Sequence, residues 1–546
     1  MDRAQTLAVP IVSERISLPS AAGTANLLDL LPPDLATLYR NPSPDLIRAD
    51  WSAGDLPRSR VFGQHDEYVS LVRRMHRLGM VSFTKSPRVV NGVFAVPKDE
   101  HSDRLIVDAR AANAVFTEPP KVELPTPDLL AQLTVMDSTQ PVYVAKVDLD
   151  NFYHKLALPQ WMWPYFALPA VTADEVGLTR EFGAGARIFP CCTTLPMGWS
   201  HSVFAAQQSH EHTVNARCTL LRPEDRITTH TDNRLDRTRH LIYIDDVILL
   251  GPQRHLVAAA QDQYVGVVDA VGTPHKPSKK HLPTCDGLEC VGLVVHGRDF
   301  TVGADPVELR RLSSDTLALL SRGRCSGLEL ASLVGRWTWA ALACRPALAT
   351  LSSVYRFIER AGRRVFFVWP SVERELDVLV GLAPFLHSRL DQDWFPHVIA
   401  TDASSTGIGI VACNTGSQAV RTAATSRAVL QPEAGTPPAV CNDLRWSTIV
   451  SRRWREAEHI NVLEMRAVST ALRWALSRPV CMQRRILLLC DSQVVVGCLV
   501  KGRSSSPPLL RLLRLLAALQ IASGSRFRVL WIRSETNPAD DASRRC

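Results

Sequence analysis

The segment Leu241–Leu250, LIYIDDVILL, sets two adjacent carboxylates in the middle of an otherwise apolar and aromatic run. Burying a carboxylate is costly unless something positive compensates it. A fold that contains this segment must therefore turn Asp245 and Asp246 outward or build a site around them. One reading is a hairpin whose turn happens to be Asp-Asp, although tight hairpin turns prefer Asn-Gly or Asp-Gly. The other is a carboxylate pair held on a strand turn to bind a divalent cation.

VAKVDLDNFYHKL supplies a third acidic candidate, Asp148, at the end of an apolar strand over 142–149. Alone, it reads equally as a strand-terminal or helix-capping residue. Two strands from distant parts of the chain can bring Asp148 beside Asp245. Carboxylates side by side repel unless a cation lies between them. Hard oxygen donors suit Mg²⁺, which keeps part of its shell for substrate phosphates.

The last third of the chain repeats this logic. Asp402 ends the strand HVIATD. Glu464 lies in line with Ile460, Val468, Ala471 and Ala475, so a carboxylate sits on the apolar stripe of a helix. Asp491 follows the strand ILLLC, and Asp540 lies in NPADDASR. Singly, Asp491 could cap the next helix and Asp540 could be a surface residue. The strand, helix, strand, terminal order of the four points to a second cation site.

With 546 residues the chain is too long for one core. Apolar residues at 46% and charged residues at 21% place it among soluble globular proteins, and a net charge of +8 fits a groove that grips phosphate. Thirteen cysteines show no CxxC pair, so reduced thiols are expected rather than a zinc module or a disulfide framework. No signal peptide and no apolar run of the ~18 residues a membrane span needs is read, so an intracellular protein of cytoplasm or nucleus is expected.

Residues 1–65, rich in Pro, Ser and Ala, read as an extension with little core of its own, and the sequence leaves open whether it is ordered or poorly ordered. Strands over 92–96 and 104–107 flank the polar turn KDEHSD, a hairpin signal. A further strand is expected over 288–295. Residues 306–359 turn helical, with Trp337 and Trp339 expected in that core, and 391–396 reads as a linker. Strands follow over 397–402 and 407–412, then a low-periodicity insert over 414–455. A helix over 460–476 and strands over 486–490 and 527–532 complete the chain.

In this order the motifs resemble reverse transcriptase fingers and palm over residues 90–300, and ribonuclease H over 397–545. VFAVPKDEHSDRLIVDARAAN is similar to the family's fingers hairpin; KVDLDNFYHKL, LPMGWSHSVFAAQQ, YIDD, KPSKKH and LECVGLVV are similar to the motifs that follow it. TDASSTGIGIV, the helix bearing Glu464, CDSQ and NPAD resemble the ribonuclease H carboxylate set. SSSPPLLRLL and the closing SETNPADDASR are most like DIRS-type retroelements, with gypsy-type elements next. The resemblance implies an α/β (α+β) chain: a right-hand polymerase of fingers, palm and thumb, then a ribonuclease H-like mixed-sheet domain. Its divisions are expected at 66–300 for fingers and palm, 301–395 for a helical thumb and connection, and 396–546 for the nuclease-like part.

The resemblance also implies site residues. Asp148, Asp245 and Asp246 would hold two Mg²⁺ ions, with Mn²⁺ as a substitute, and Asp402, Glu464, Asp491 and Asp540 would hold two more. Asp540 is preferred to Asp541 for its place in NPAD. Lys98 and Arg104 would meet the triphosphate of an incoming nucleotide, and Asp108 with Arg110 would form a structural pair. Tyr153 would exclude a ribose 2′-hydroxyl. Met197, Gly198, Gln207 and Lys279 would complete the nucleotide site. The implied activity is RNA-directed DNA synthesis with hydrolysis of the RNA strand of the hybrid. RNA template, DNA primer, RNA–DNA hybrid and deoxynucleoside triphosphates would be its partners, without a membrane. The rival readings are a decayed retroelement protein kept as a nucleic-acid-binding scaffold and an RNA-dependent RNA polymerase. Two departures stand out: a long insert between Asp402 and Glu464, and no histidine between Asp491 and Asp540. With no protease, integrase or recombinase motif read, one piece of a larger element is expected.

Overall fold

The structure, a computed structural model, describes residues 8–229, 231, 233–425 and 445–545. Its first body is organised by one antiparallel sheet. The strands are β3 (Tyr143–Asp148), β4 (Arg239–Tyr243), β5 (Asp246–Gly251) and β6 (His281–Thr284), in the order β4-β5-β3-β6. Ahead of it in the chain, the hairpin β1 (Gly92–Pro97) and β2 (Asp103–Asp108) makes the fingers. Helices α1 (Ser202–Arg217) and α2 (Arg254–Ala270) cover one face of the sheet. The other face packs Val144, Leu241, Ile248 and Leu250 against a smaller sheet formed by Leu288–Cys290, Leu293–His296, Thr301–Gly303 and His387–Arg389. Apolar side chains on both faces explain why β4 and β5 read as continuous hydrophobic runs.

The thumb is four helices: α3 (Pro306–Arg322), α4 (Gly327–Ala341), α5 (Ser353–Ala361) and α6 (Pro370–Leu382). Their ends are written in the sequence. Asp305 accepts from the amides of Val307 at 2.7 Å and Glu308 at 3.2 Å, Pro306 opens α3, and Gly323 closes it at φ +65°. Ser326 accepts from Glu329 N at 3.1 Å to start α4. Trp337 is fully buried and donates from Nε1 to Thr316 Oγ1 at 2.9 Å, as a core residue should. Half-buried Trp339 donates to Val291 O at 3.1 Å, joining thumb to palm.

The second body is a five-stranded mixed sheet. Its strands are β7 (Trp394–Ala403), β8 (Gly407–Asn414), β9 (Ser447–Arg453), β10 (Arg485–Cys490) and β11 (Arg526–Trp531), in the order β9-β8-β7-β10-β11. The first three strands pair antiparallel, whereas β10 is parallel to both β7 and β11. Helices α7 (Ser417–Thr425), α8 (Ile460–Leu476), α9 (Gln493–Lys501), α10 (Pro507–Ser523) and α11 (Asp540–Arg544) surround it. This is the mixed α/β chain that the sequence led one to expect: an antiparallel sheet with a hairpin ahead of it and helices after it, then a separate mixed sheet flanked by helices. Among the described residues, no helix is long and apolar enough to cross a membrane.

Four expectations need amendment. The N-terminal extension is not peripheral: Ile11, Ile16, Leu27, Leu30, Tyr39 and Leu46 are buried in the same core as the fingers and palm. Val9 N donates to Ala95 O at 2.9 Å, and Ala25–Asn26 pairs with Leu156–Ala157. Its apolar residues fill slots in a neighbouring surface instead of making a face of their own, so no period betrays them; residues 1–7 lie outside the described residues. The expected linker at 391–396 contains the start of β7, with Trp394 and Phe395 buried. The strand expected over 288–295 is a hairpin, broken by Val291 and Gly292 at positive φ. The insert over 414–455 contributes α7 and β9, while its residues 426–444 lie outside the described residues.

Candidate active sites

LIYIDDVILL folds as a tight hairpin whose turn is Ile244-Asp245, so Tyr243 pairs with Asp246. On the other side of β5, Asp246 pairs directly with Asp148 of β3. Leu149 N donates to Asp245 O at 2.9 Å, which ties the turn to the end of β3. The three carboxylates predicted from distant segments thus lie together. Burial first, then repulsion from Asp246 and Asp148, pushes the Asp245 carboxyl up to about 6. Two lysines balance the cluster: Lys279 Nζ meets Asp148 Oδ2 at 2.6 Å, and Lys146 Nζ meets Asp246 Oδ2 at 3.1 Å.

Lys98 belongs to a cationic group on the same side. Its ammonium is pushed down chiefly by burial, then by Lys276, Arg104 and Lys279. It donates to Ser17 Oγ at 3.1 Å, so the N-terminal segment touches this group too. Tyr153 lies beside Asp245, its phenol pushed up by burial and then by that carboxylate. Asp108 and Arg110 make the expected pair at 2.6 Å. Met197 and Gly198 form the turn that latches the fingers: Val107 N donates to Met197 O at 2.9 Å. Gly198 has φ +128°, and a Cβ there would stand 2.0 Å from Val107 O.

Gln207 departs from the expectation of a nucleotide contact. It is fully buried beneath the turn, where its Oε1 accepts from Ile244 N at 2.7 Å. Its Nε2 donates to Ile242 O at 3.0 Å and to Glu211 Oε1 at 2.8 Å. His210, one helical turn on, was missed by sequence reasoning. Its Nδ1 donates to Ile244 O at 2.7 Å, because a carbonyl can only accept. Its Nε2 accepts from the Tyr264 hydroxyl of α2 at 2.8 Å. Burial pushes His210 down to about 4, keeping the ring neutral and this tautomer in place. No sequence signal marked it, because α1 buries Gln207, Ser209, His210 and Thr213 together on its inward face.

In the second sheet, Thr401 of β7 pairs with Cys490 of parallel β10, so Asp402 and Asp491 leave adjacent strand ends together. Glu464 projects from α8, which packs across β7. Gly409 lets α11 lie against β8, since a Cβ there would stand 2.4 Å from Ala539 O; this close approach delivers Asp540. Burial, with Asp491 and Asp540 adding to it against a hydrogen bond from Ser543, pushes Asp402 up to about 6. Burial, then Asp491 and Asp402, pushes Glu464 up to about 8. Asn537 Nδ2 donates to Thr401 O at 3.1 Å and to Asp402 Oδ1 at 3.4 Å, and Ser534 donates to Asp491 Oδ2. Asp540 is half-buried and influences Asp402, whereas Asp541 is exposed and paired with Arg545 at 2.6 Å.

The donor chemistry of both groups fits a hard divalent cation. Asp246 Oδ1, Glu464 Oε2 and Asp491 Oδ1 are buried atoms without a hydrogen-bond partner among the described residues. Carboxylates that repel one another and leave oxygens unpaired lower their energy when a cation joins them.

The chain is similar to a retroviral polymerase polyprotein. It is 23% identical over 265 residues to a Gag-Pro-Pol polyprotein of Human T-cell leukemia virus 3 (strain 2026ND). That match covers 48% of this chain and only 16% of the polyprotein. Among solved structures, it is similar to the foamy viral protease-reverse transcriptase dRH in complex with double-stranded DNA. There the TM-score is 0.48 at 14% identity, covering 94% of this chain and 83% of the other. The foamy viral protease-reverse transcriptase in complex with RNA/DNA hybrid gives 0.47 at 13% identity, covering 97% and 64%. No family model matches the chain.

Proposed function

We propose that this chain is an RNA-directed DNA polymerase that also hydrolyses the RNA strand of the RNA–DNA hybrid it makes. One observation carries the reading: carboxylates far apart in sequence converge in two separate groups, Asp148 with Asp245 and Asp246, and Asp402 with Glu464, Asp491 and Asp540.

In-line phosphoryl transfer asks little covalent chemistry of a protein. It asks for positioning and for charge at the attacking and leaving oxygens, commonly from two ions about 3.5–4 Å apart. Asp148, Asp245 and Asp246 would hold Mg²⁺, or Mn²⁺ as a substitute, at the polymerase site; when bound, the ions supply the charge that activates a primer 3′-hydroxyl and steadies the leaving pyrophosphate. Lys98, Arg104 and Lys279 neutralise the triphosphate of a deoxynucleotide. Lys279 then exchanges its ion pair with Asp148 for a phosphate contact. Met197 and Gly198 form the floor beside the fingers, and Tyr153 closes the space beneath the sugar. In the second site Asp402, Glu464, Asp491 and Asp540 would hold the same class of ion, which when bound would supply the charge that activates water toward the RNA strand, with contacts to 2′-hydroxyls conferring the choice of strand.

The test is purified protein on a primed RNA template with Mg²⁺, following DNA synthesis and RNA loss in one reaction. Asp245→Asn should abolish synthesis and leave hydrolysis of a preformed hybrid. Asp491→Asn should do the reverse. Synthesis surviving Asp245→Asn at the wild-type rate would remove the polymerase half of the reading. Sugar choice gives an independent check: Tyr153→Val should raise incorporation of ribonucleotides relative to deoxynucleotides by at least about tenfold, equivalent to about 1.4 kcal/mol of lost discrimination.

A further inference from the structure

Strand β10 ends on a cysteine immediately before the third carboxylate of the second site. Cys490 is fully buried on the face of the sheet that packs against α8. Its Sγ, a Glu464 oxygen and an Asp491 oxygen lie within 4.8 Å of one another, the one such metal-competent group found among the described residues. Two of the carboxylate oxygens here, Glu464 Oε2 and Asp491 Oδ1, are buried without a hydrogen-bond partner. Glu464 itself is only 7% exposed. Cys490 thus packs in the apolar core and at the same time lies beside two carboxylates that each have an unpartnered buried oxygen.

Mg²⁺ has little use for sulfur, whereas Zn²⁺ and Cd²⁺ bind thiolate strongly. Metal–sulfur and metal–oxygen bonds of about 2.3 and 2.1 Å put the ligands of a tetrahedral ion about 3.5 Å apart, so side-chain rotations of about 1 Å close the group. Asp491, half-buried at the strand end, is the open side for an arriving ion. The polymerase carboxylates Asp148, Asp245 and Asp246 belong to no such group with a cysteine among the described residues.

We propose that Glu464, Cys490 and Asp491 form a thiophilic cation site within the nuclease-like centre, which takes Zn²⁺ or Cd²⁺ in preference to Mg²⁺ and silences RNA hydrolysis while DNA synthesis continues. The inference rests on the reading of Glu464 and Asp491 as metal ligands. Its first readout needs no nucleic acid and no turnover.

The full chain is titrated with Cd²⁺ in excess Mg²⁺, following the ultraviolet sulfur-to-cadmium absorption and the bound metal by equilibrium dialysis. Wild type should take up one more tightly held Cd²⁺ than Cys490→Ala, with the matching absorption lost. Cys490→Ser, close in size to the native residue, should lose the absorption as well, and circular dichroism checks that each variant is folded. Glu464→Gln should keep the sulfur but weaken the site. In the activity arm, removing the soft ligand should raise the Cd²⁺ needed to stop hybrid hydrolysis by about tenfold or more. Equal Cd²⁺ uptake and absorption in wild type and Cys490→Ala overturns the proposal. Cd²⁺ uptake as expected in a wild-type chain that hydrolyses no hybrid with Mg²⁺ upholds the cation site and instead counts against the nuclease reading.

Discussion

Ile244 sits at φ +54° in the turn that presents Asp245. A β-branched residue rarely adopts that conformation, which costs about 1–3 kcal/mol and persists only where the surroundings over-determine it. Here Gln207 and His210 hold the Ile244 amide and carbonyl, and Tyr264 holds the histidine. Removing His210 leaves a buried carbonyl and a buried phenol unpaired, so His210→Leu should lose about 1–3 kcal/mol of stability. The pH dependence has a definite sign. His210 is pushed from 6.5 down to about 4 in the fold by burial. As pH falls through 6.5 the unfolded chain takes up a proton that the folded chain refuses, so the contribution of this histidine is full above 6.5 and declines toward 4. His154, at about 4, and His240, at about 3, act in the same direction, both primarily through burial. Asp245 and Asp402, each raised to about 6, and Glu464, raised to about 8, act in the opposite direction, so the histidine is read from a difference: from pH 6.5 to 4 the melting temperature of wild type should fall relative to that of His210→Gln, whose amide can still donate to Ile244 O. A His210→Gln curve parallel to wild type would show that this histidine is not a source of the acid lability.

At the scale of elements, the joint between fingers and palm is a backbone contact, β2 against the turn Met197-Gly198. A side chain at Gly198 would meet Val107 O at 2.0 Å, and the left-handed φ makes the strain worse. Gly198→Ala should therefore displace β2, and Arg104 with it, from the palm. The expected outcome is a large loss of primer extension with hydrolysis of preformed hybrid retained, because the second group of carboxylates is positioned by β7, β10, α8 and α11 and not by this turn. Loss of both activities together would mean that the substitution unfolds the chain.

The elements also show what the sequence could and could not reveal. Asp245, Asp246, Glu464 and Asp491 were legible because a charge inside an apolar run or stripe contradicts its surroundings, and the contradiction needs a chemical reason. Gln207 and His210 were not, because α1 buries a polar face and carries no apolar stripe against which they would stand out. The N-terminal segment was missed for the opposite reason: Ile11, Ile16 and Tyr39 belong to short apolar patches interrupted by prolines, serines and charged residues, and they pack in a core shared with the fingers and palm. The start of β7 was hidden by the acidic residues Asp391 and Asp393, which pair with Arg389, Arg421 and Arg484 on the rim while Trp394 and Phe395 turn inward.

At the scale of the whole molecule, three arginines fix the second body to the first, and nothing in their sequence context announces it. Arg485, the first residue of β10, is buried and pairs with no carboxylate among the described residues. It donates to Thr134 Oγ1 at 2.6 Å and to the carbonyls of Leu133 at 2.7 Å and Leu390 at 3.3 Å. Burial pushes its guanidinium well down, and Arg526, Arg528 and Arg421 reinforce this. Arg526 donates to the Ala131 and Ala343 carbonyls, and Arg514 reaches Glu375 of α6 at 2.9 Å. A planar donor set spread over several carbonyls resists rotation as well as separation. The two candidate sites are therefore held at a fixed spacing, and cuts in the RNA should fall at a fixed distance behind the growing primer end. Arg485→Met keeps most of the volume but leaves those carbonyls unpaired, about 1–3 kcal/mol for each buried group that water does not reach. Wild type should unfold in a single transition, and the variant should melt its C-terminal sheet at a lower temperature than the rest. Sequencing-gel analysis of the hybrid products should then show the cut positions of Arg485→Met spread over several nucleotides where wild type gives a narrow cluster. A narrow cluster retained by a variant with two separate melting transitions would mean that the nucleic acid, and not this interface, sets the spacing.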